Sequence, residues 1–256
     1  MSVSAPRWDL TNVYPALDSK QFKSAVKKYK SLLDELEAFL KKAEKANAKT
    51  DPKKLGKLLG ESVDRFNEVF ELGGTLSAYL YSFITTDSRN KEAMRTFSEF
   101  QQMSVQGSIL QTKFTAWAGT LGKPAIKKAT KTNASAKAHE FILLESAEQA
   151  KYLMSEAEEV LAAELTLSGG SAFGKLQGTL TSQMTVDFEL DGEVKKMPMP
   201  ALINLRSHPD ESVRRRGYEA ENIAWAGVQE TLAACLNGVK GETLILDKKR
   251  GREDNV

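Results

Sequence analysis

The sequence predicts a mainly α-helical fold, in which long antiparallel helices form a bundle-like array that carries one small β-hairpin. Apolar residues recur three and four positions apart over most of the chain, and one segment alternates like a pair of strands. The length of 256 residues, with 41% hydrophobic and 27% charged residues, is that of an ordinary globular protein. Such a chain can bury a core without a metal or a disulfide.

Charge and cysteine content exclude several classes of protein. The formal net charge of +2 is too small to indicate a polyanionic partner by itself. The single cysteine, Cys235, cannot form an intramolecular disulfide, and its apolar neighbours predict a core position rather than a nucleophile. The amino terminus lacks a basic start followed by an apolar run, and no apolar stretch of about 18 residues occurs. We therefore expect a cytoplasmic protein without a membrane span.

The first predicted helix is rich in lysine. Residues 20–57 contain twelve lysines and five acidic residues, and the lysines fall between apolar positions at helical spacing. This pattern favours a solvated helix face over a phosphate-binding surface, because arginines and aromatic residues are not interleaved with the lysines on that face. Nucleic-acid binding through this helix is the less favoured alternative. The apolar positions are Phe22, Val26, Tyr29, Leu32, Leu33, Leu36, Phe39 and Leu40.

Two further long helices are predicted before residue 130. Asp51 suits the N-cap of the second helix, and Pro52 suits its first position. The pair Gly73-Gly74 near its middle predicts close packing by another backbone. Asp87-Ser88 predicts the start of the third helix, which should end near Trp117. The residues expected to end it are Gly119, Gly122 and Pro124.

The polar stretch 127–137 marks the predicted division of the chain. It is rich in lysine, alanine, threonine and serine and is expected to be a surface connection. We therefore assign residues 1–130 to an amino-terminal long-helix region and residues 131–256 to a second helical region. In the second region a helix is expected over 138–144. Residues 146–149 fit a capping box that would begin a helix ending near Leu167.

One β-hairpin is predicted near 185–196. Residues 185–190 alternate between apolar and polar side chains, Asp191-Gly192 suits a type I′ turn, and residues 193–195 form the return strand. An isolated two-stranded ribbon is marginal in water, so the hairpin must pack on helices. The segment His208 to Glu211 then begins a long helix that should run to about Leu246.

Two segments approach the motifs of catalytic and nucleotide-binding sites without completing them. The sequence His139-Glu140-Phe141-Ile142-Leu143 begins like H-E-x-x-H, but leucine replaces the second zinc-binding histidine. Residues 169–176 match the phosphate loop G-x-x-x-x-G-K-[ST] except that Leu176 replaces the hydroxyl residue that holds magnesium. A helical pattern precedes this loop where a buried strand is required, so a glycine turn between two helices is predicted. The residues alone nominate no catalytic residue, no metal ligand and no cofactor, and substrate-binding residues stay unknown.

Several segments nevertheless resemble, in order, the amino-terminal half of the oligoendopeptidase F branch of the thimet-oligopeptidase-like zinc metallopeptidases. The opening Trp8-Asp9-Leu10 with Tyr14-Pro15 resembles the start of that family. The other similar segments are residues 145–155 with Glu158-Glu159, then 165–176, 202–205, 212–220, 236–242, and Lys249-Arg250-Gly251. Their order and spacing cover nearly the whole chain.

The resemblance implies a function that the residues alone do not. It implies that this chain is the channel-roof portion of a zinc-dependent metallo-oligoendopeptidase that hydrolyses short peptides, truncated before the catalytic domain with its H-E-x-x-H motif. Zinc would bind in the missing carboxy-terminal half, and the chain alone is expected to be inactive. The implied partners are short unstructured peptides and that catalytic half, and a homo-dimer is a further expectation. The alternative is a stand-alone helical module that binds peptides or proteins without catalysis.

Overall fold

The described part of the chain, residues 9–253, contains ten α-helices, two short 3-10 helices and one two-stranded antiparallel sheet in a computed structural model. This arrangement confirms the predicted fold class. The helices are α1 (Lys20–Ala43), α2 (Pro52–Thr86), α3 (Lys91–Thr130), α4 (Ala134–Ala138), α5 (Glu140–Gln149), η1 (Ala150–Tyr152), α6 (Glu156–Leu165), α7 (Gly170–Gln183), α8 (Met199–Asn204), η2 (Leu205–Ser207), α9 (Glu211–Ala226) and α10 (Gln229–Lys249); the strands are β1 (Thr185–Leu190) and β2 (Glu193–Pro198).

The chain forms two compact units, residues 1–163 and residues 164–256. The regions predicted from the sequence met instead at residue 130. The difference arises because α4 and α5 pack on α2 and α3, so that Ile126, Ala136 and Leu143 are buried in the core of the first unit. The predicted family start at Trp8 lies outside the described residues.

The first helix behaves as its pattern predicts. Its apolar positions enter the core of the first unit, with Leu33 and Leu36 fully buried. All twelve lysines of residues 20–57 are exposed, as expected of a solvated helix face. The side chain of Ser19 accepts a hydrogen bond from the Phe22 amide and so caps the helix at its amino-terminal end.

The second helix begins at the predicted cap, since the Asp51 carboxylate accepts hydrogen bonds from the amides of Lys53 and Lys54. It continues through Gly73 without a break. A Cβ atom on Gly73 would lie 2.8 Å from the Tyr29 ring, so a side chain and not a backbone makes the close approach.

The third helix differs from its predicted bounds at both ends. Asn90, and not Asp87-Ser88, accepts the capping hydrogen bond from the Ala93 amide. The helix passes the predicted end near Trp117 and breaks at Gly122, one of the residues predicted to end it, which has φ 71° and ψ 155°; a second helical segment then continues to Thr130. Glycine tolerates this conformation, and Pro124 follows where a new helical segment starts.

The capping box predicted at residues 146–149 is wrong. These residues lie at the end of α5, where the Ser146 hydroxyl donates to the Ile142 carbonyl oxygen. A reciprocal box forms nine residues later, before α6. The Ser155 amide donates to the Glu158 carboxylate at 3.0 Å, and the Glu158 amide donates to the Ser155 hydroxyl at 3.4 Å.

The second unit has its own core around the hairpin. The strands pair antiparallel from Thr185↔Pro198 to Leu190↔Glu193, and both turn residues have positive φ, 56° at Asp191 and 78° at Gly192. The predicted type I′ hairpin is thus confirmed, and β2 extends to Pro198. The core around it consists of Phe188, Met199, Leu202, Leu205 and Val213.

The long helix predicted from residue 211 to about Leu246 is instead two helices. The helix α9 ends at Ala226, where the Gly227 amide donates to the Ile223 carbonyl oxygen, and α10 begins at Gln229. Cys235 is 2% exposed, which confirms its predicted core position. Among residues 9–253, no helix combines the length and the apolarity needed to cross a bilayer.

Candidate functional site

The first unit contains a cleft of about 930 Å³ between α3 and residues 147–159. Small side chains make this concavity, because Ala116 and Gly119 line it from α3 and Ala150 lines it from η1. A Cβ atom on Gly119 would collide with the Cβ atom of Ala150, so glycine lets the two elements approach closely at this point. The indole of Trp117 is 5% exposed and its Nε1 donates to the Ala46 carbonyl oxygen at 2.9 Å.

Ion pairs join the two sides of the cleft. Lys113 on α3 lies 3.0 Å from the Glu156 carboxylate on α6. Further along α3, Lys123 lies 2.6 Å from one oxygen of Glu148, and Lys151 lies 2.6 Å from its other oxygen. Lys113 and Lys123 are ten residues apart, which is about 15 Å along a helix.

The two lysines control the protonation of Glu148. Hydrogen bonds from Lys123 and Lys151 lower the pKa of this carboxyl to about 2. The carboxylate therefore stays ionised at any physiological pH. Because the carboxylate is only half-buried and water screens its charge, its ion pairs fix local geometry more than they stabilise the fold.

One carboxylate in the cleft is buried. Glu159 is 5% exposed and lines the cleft from α6, one helical turn after Glu156. Its Oε1 accepts a hydrogen bond from the Met154 amide at 3.1 Å.

The incomplete zinc motif does not form a metal site. His139 lies between α4 and α5, with its Nδ1 2.9 Å from the Ser135 carbonyl oxygen, and Glu140 pairs with Lys137. Leu143, at the position of the second histidine, is fully buried in the core. Within residues 9–253 no three His, Cys, Asp or Glu side chains are grouped closely enough to hold a metal ion. The residues present therefore do not fit a zinc ion.

The incomplete phosphate loop is occupied by a carboxylate of the protein itself. A turn does precede α7, as predicted, but it spans residues 166–169, and residues 170–176 of the segment form the first turns of α7. The Gly170 amide donates to Oε2 of Glu242 on α10, and the Thr166 hydroxyl donates to Oε1 of the same group at 2.6 Å. The helix end that would bind a phosphate thus binds Glu242.

An ion pair between an exposed arginine and a buried carboxylate in the second unit was also not found by sequence analysis. Glu221 on α9 is 5% exposed and accepts two hydrogen bonds from Arg206, at 2.6 and 3.1 Å. Trp225 Nε1 donates to the same carboxylate at 3.1 Å. The Arg206–Glu221 spacing of fifteen residues matches no helical pair, so no sequence pattern signals it.

Comparison with known proteins finds one match to part of the sequence and one match to the fold. Residues 119–185, from the end of the α3 wall through α7, match the amino-terminal family model described as Oligopeptidase F. The fold is similar to the crystal structure of oligoendopeptidase-F from Enterococcus faecium, with a TM-score of 0.69 and 15% sequence identity. That match covers 89% of this chain and 45% of the Enterococcus chain. No curated protein matches the sequence.

These findings define the chain first as a helical protein whose fold is similar to that of an oligoendopeptidase F, with residues 119–185 matching that family's model. More narrowly, they confirm the resemblance to the amino-terminal half of oligoendopeptidase F that the sequence predicted. The chain spans less than half the length of the solved relative.

Proposed function

We propose that this chain is the amino-terminal, channel-roof portion of a zinc-dependent metallo-oligoendopeptidase that hydrolyses short peptides. The observation that carries the proposal is the structural match, in which 89% of this chain corresponds to 45% of an oligoendopeptidase F. The family-model match over residues 119–185 supports it independently. Zinc and the general base belong to a carboxy-terminal catalytic half, and within residues 9–253 no three metal-ligating side chains are grouped to hold the metal.

In this proposal the chain restricts access and does not perform chemistry. A helical roof over a channel admits short unstructured peptides and excludes folded proteins. In this proposal the chain is inactive alone and acts in the cytoplasm. Its partners are short peptides, the catalytic half and a second copy of the chain.

A hydrolysis assay tests this division of labour. The purified chain with added Zn²⁺ should give no metal-dependent cleavage of a fluorogenic peptide. Co-expression with the H-E-x-x-H half of an oligoendopeptidase F should give cleavage of short peptides, and a control with the motif glutamate replaced by glutamine should stay inactive. Chelator-sensitive turnover by the 28.2 kDa chain alone would contradict the proposal.

The reading frame after Val256 provides a second test. An in-frame H-E-x-x-H sequence downstream is the expected result. A stop codon directly after Val256 would favour the alternative, a stand-alone helical module that binds peptides or proteins without catalysis. The cleft of about 930 Å³ is the observation that favours this alternative, because its size suits a small ligand.

A further inference from the structure

A second cavity in the first unit, of about 890 Å³, lies between the segment before α1 and the carboxy-terminal end of α2. Three aromatic residues line it, Tyr14 from the segment before α1 and Tyr79 and Phe83 from α2. The ring centroids of Tyr14 and Tyr79 are 5.0 Å apart, and those of Tyr79 and Phe83 are 5.1 Å apart, both in edge-to-face geometry. Packed rings of this kind form an apolar wall, and the faces of such rings attract cations.

The described lining of this cavity is negatively charged. Asp9 and Asp87 are exposed carboxylates, and no lysine, arginine or histidine of residues 9–253 lines the cavity or forms an ion pair with either of them. Each carboxylate accepts one backbone hydrogen bond, Asp9 from the Thr11 amide and Asp87 from the Arg89 amide, both at 2.9 Å. Hydrogen bonding by Thr11 lowers the pKa of the Asp9 carboxyl. A ligand with positive charge therefore finds two carboxylates and no competing cation among the described residues.

Hydroxyl groups in the wall can only accept hydrogen bonds from a ligand. Ser82 donates its proton to the Tyr79 carbonyl oxygen at 2.6 Å, and Thr86 donates to the Ser82 carbonyl oxygen at 2.8 Å. The Tyr79 phenol donates to the Tyr14 carbonyl oxygen at 2.9 Å. A carbonyl oxygen cannot donate in return, so these three protons are committed within the protein. Tyr14 and Asn90 keep side-chain donors, and acceptors therefore outnumber donors among the described lining side chains.

We propose that this cavity binds an organic dication with N–H donors and an apolar body, of the class of the alkyl diamines. Its two ammonium groups donate charge-assisted hydrogen bonds to Asp9 and Asp87, and its methylene chain packs against Tyr14 and Phe83. Within residues 9–253 no three metal-ligating side chains are grouped, so the described side chains suit an organic cation better than a metal ion. The inference does not depend on the proposed function.

Calorimetric titration of the whole chain with alkyl diamines, from 1,4-diaminobutane to 1,8-diaminooctane, tests the proposal. At least one diamine should bind, and the monoamine of the same length should bind about tenfold more weakly, because one charge-assisted hydrogen bond is lost. The bis(trimethylammonium) analogue, which has no N–H donor, should also bind about tenfold more weakly. The corresponding diol and MgCl₂ should give no binding. No diamine binding, or equal binding of the diamine and any one of these control compounds, would overturn the proposal.

Two variants place the ligand in the cavity. Asp9→Asn and Asp87→Asn each keep an acceptor oxygen for the backbone amide, and each should weaken the diamine about tenfold. The matched control is Asp18→Asn, an exposed residue of the segment before α1 that is not among the described lining residues, and it should bind as the wild type does. In NMR spectra the amide signals of Thr11 and Arg89 should shift with the diamine and not with the diol. An equal loss in Asp18→Asn, or unshifted signals of both amides, would overturn the site.

The outcomes do not depend on any one variant or on the hydrolysis assay. Circular dichroism shows whether each variant is folded, and the control compounds and the amide signals test the wild-type chain if a variant fails to fold. Diamine binding without reconstituted hydrolysis supports this site and not the proposed function. Reconstituted hydrolysis without diamine binding supports the proposed function and overturns this site.

Discussion

Glu148 is a single carboxylate held by two lysines from different elements. Hydrogen bonds from Lys123 on α3 and Lys151 on η1 lower its pKa from 4.5 to about 2. Since the folded-state pKa is lowered, the ion pairs stabilise the fold above about pH 4.5, and this contribution is lost as the pH falls towards 2.

Replacing one of these lysines should show this coupling directly. We expect Lys123→Gln to raise the pKa of Glu148 towards its usual value, because the hydrogen bond from the Lys123 ammonium group to the carboxylate is lost. A carboxyl-detected NMR titration of Glu148 measures the shift. Lys128→Gln on the same helix should leave the pKa unchanged. An unchanged pKa in Lys123→Gln would show that Lys151 alone lowers the pKa of Glu148.

In the second unit, Glu242 is likewise a carboxylate that accepts hydrogen bonds from two different groups. Its carboxylate accepts hydrogen bonds from the Gly170 amide and the Thr166 hydroxyl. We expect Glu242→Ala to lower the free energy of unfolding by about 1–3 kcal/mol, because a partly buried helix end loses its acceptor. Glu242→Gln keeps one acceptor oxygen and should cost less. Urea unfolding followed by circular dichroism measures both, and equal stability of the alanine variant and the wild type would contradict the role.

At the scale of elements, the break in α3 depends on one glycine. Gly122 has φ 71°, which alanine adopts only with strain. We expect Gly122→Ala to destabilise the first unit by about 1–2 kcal/mol.

Gly74 in α2 provides the matched control. A Cβ atom at Gly74 meets nothing within 4 Å and the residue is helical, so Gly74→Ala should stabilise by about 0.5–1 kcal/mol. Thermal unfolding of the two variants should therefore shift in opposite directions. A stabilising Gly122→Ala would mean that α3 can straighten through residue 122.

The elements predicted well are those that local chemistry decides. Asp51 before Pro52 caps α2, and Asp191-Gly192 turns the hairpin, because the backbone requirement and the suitable residue coincide in sequence. The end of α3 was predicted too early. A glycine at position 119 predicts the end of a helix, but Gly119 stays helical and packs against Ala150. That contact between distant segments cannot be inferred from the local sequence.

The cleft could not be predicted for a related reason. Lys123 meets Glu148 twenty-five residues further along the chain, and Lys113 meets Glu156 forty-three residues away. No helical or strand period connects residues at such distances. The sequence located the segments of the resemblance but not the side chains that they bring together.

At the scale of the whole molecule, the second unit exposes apolar surface on its last two helices. Ile223 on α9 is 75% exposed, and Ile245 on α10 is 63% exposed. The other exposed apolar side chains of these helices are Tyr218, Leu236 and Leu244. Apolar surface of this extent favours association, and the net charge of +2 gives little repulsion to oppose it.

We therefore expect the isolated chain to self-associate. Multi-angle light scattering should give a mass above 28.2 kDa that rises with concentration. Ile245→Ser should lower this mass. Phe141→Ser, which removes a 79% exposed aromatic side chain from the first unit, is the control and should not. One species of 28.2 kDa at every concentration would contradict the expectation.

The Glu242 carboxylate acts as a tethered ligand of the amino-terminal end of α7. A tethered group competes at an effective concentration of millimolar or more, whereas a nucleotide must diffuse in and displace it against like charge. Because α10 also positions the carboxylate, ATP and inorganic phosphate should leave the melting temperature of the protein unchanged, as a thermal-shift titration would show. The amino-terminal end of α7, whose sequence resembles a nucleotide-binding loop, thus binds the Glu242 carboxylate of α10, and this contact holds the two helices together.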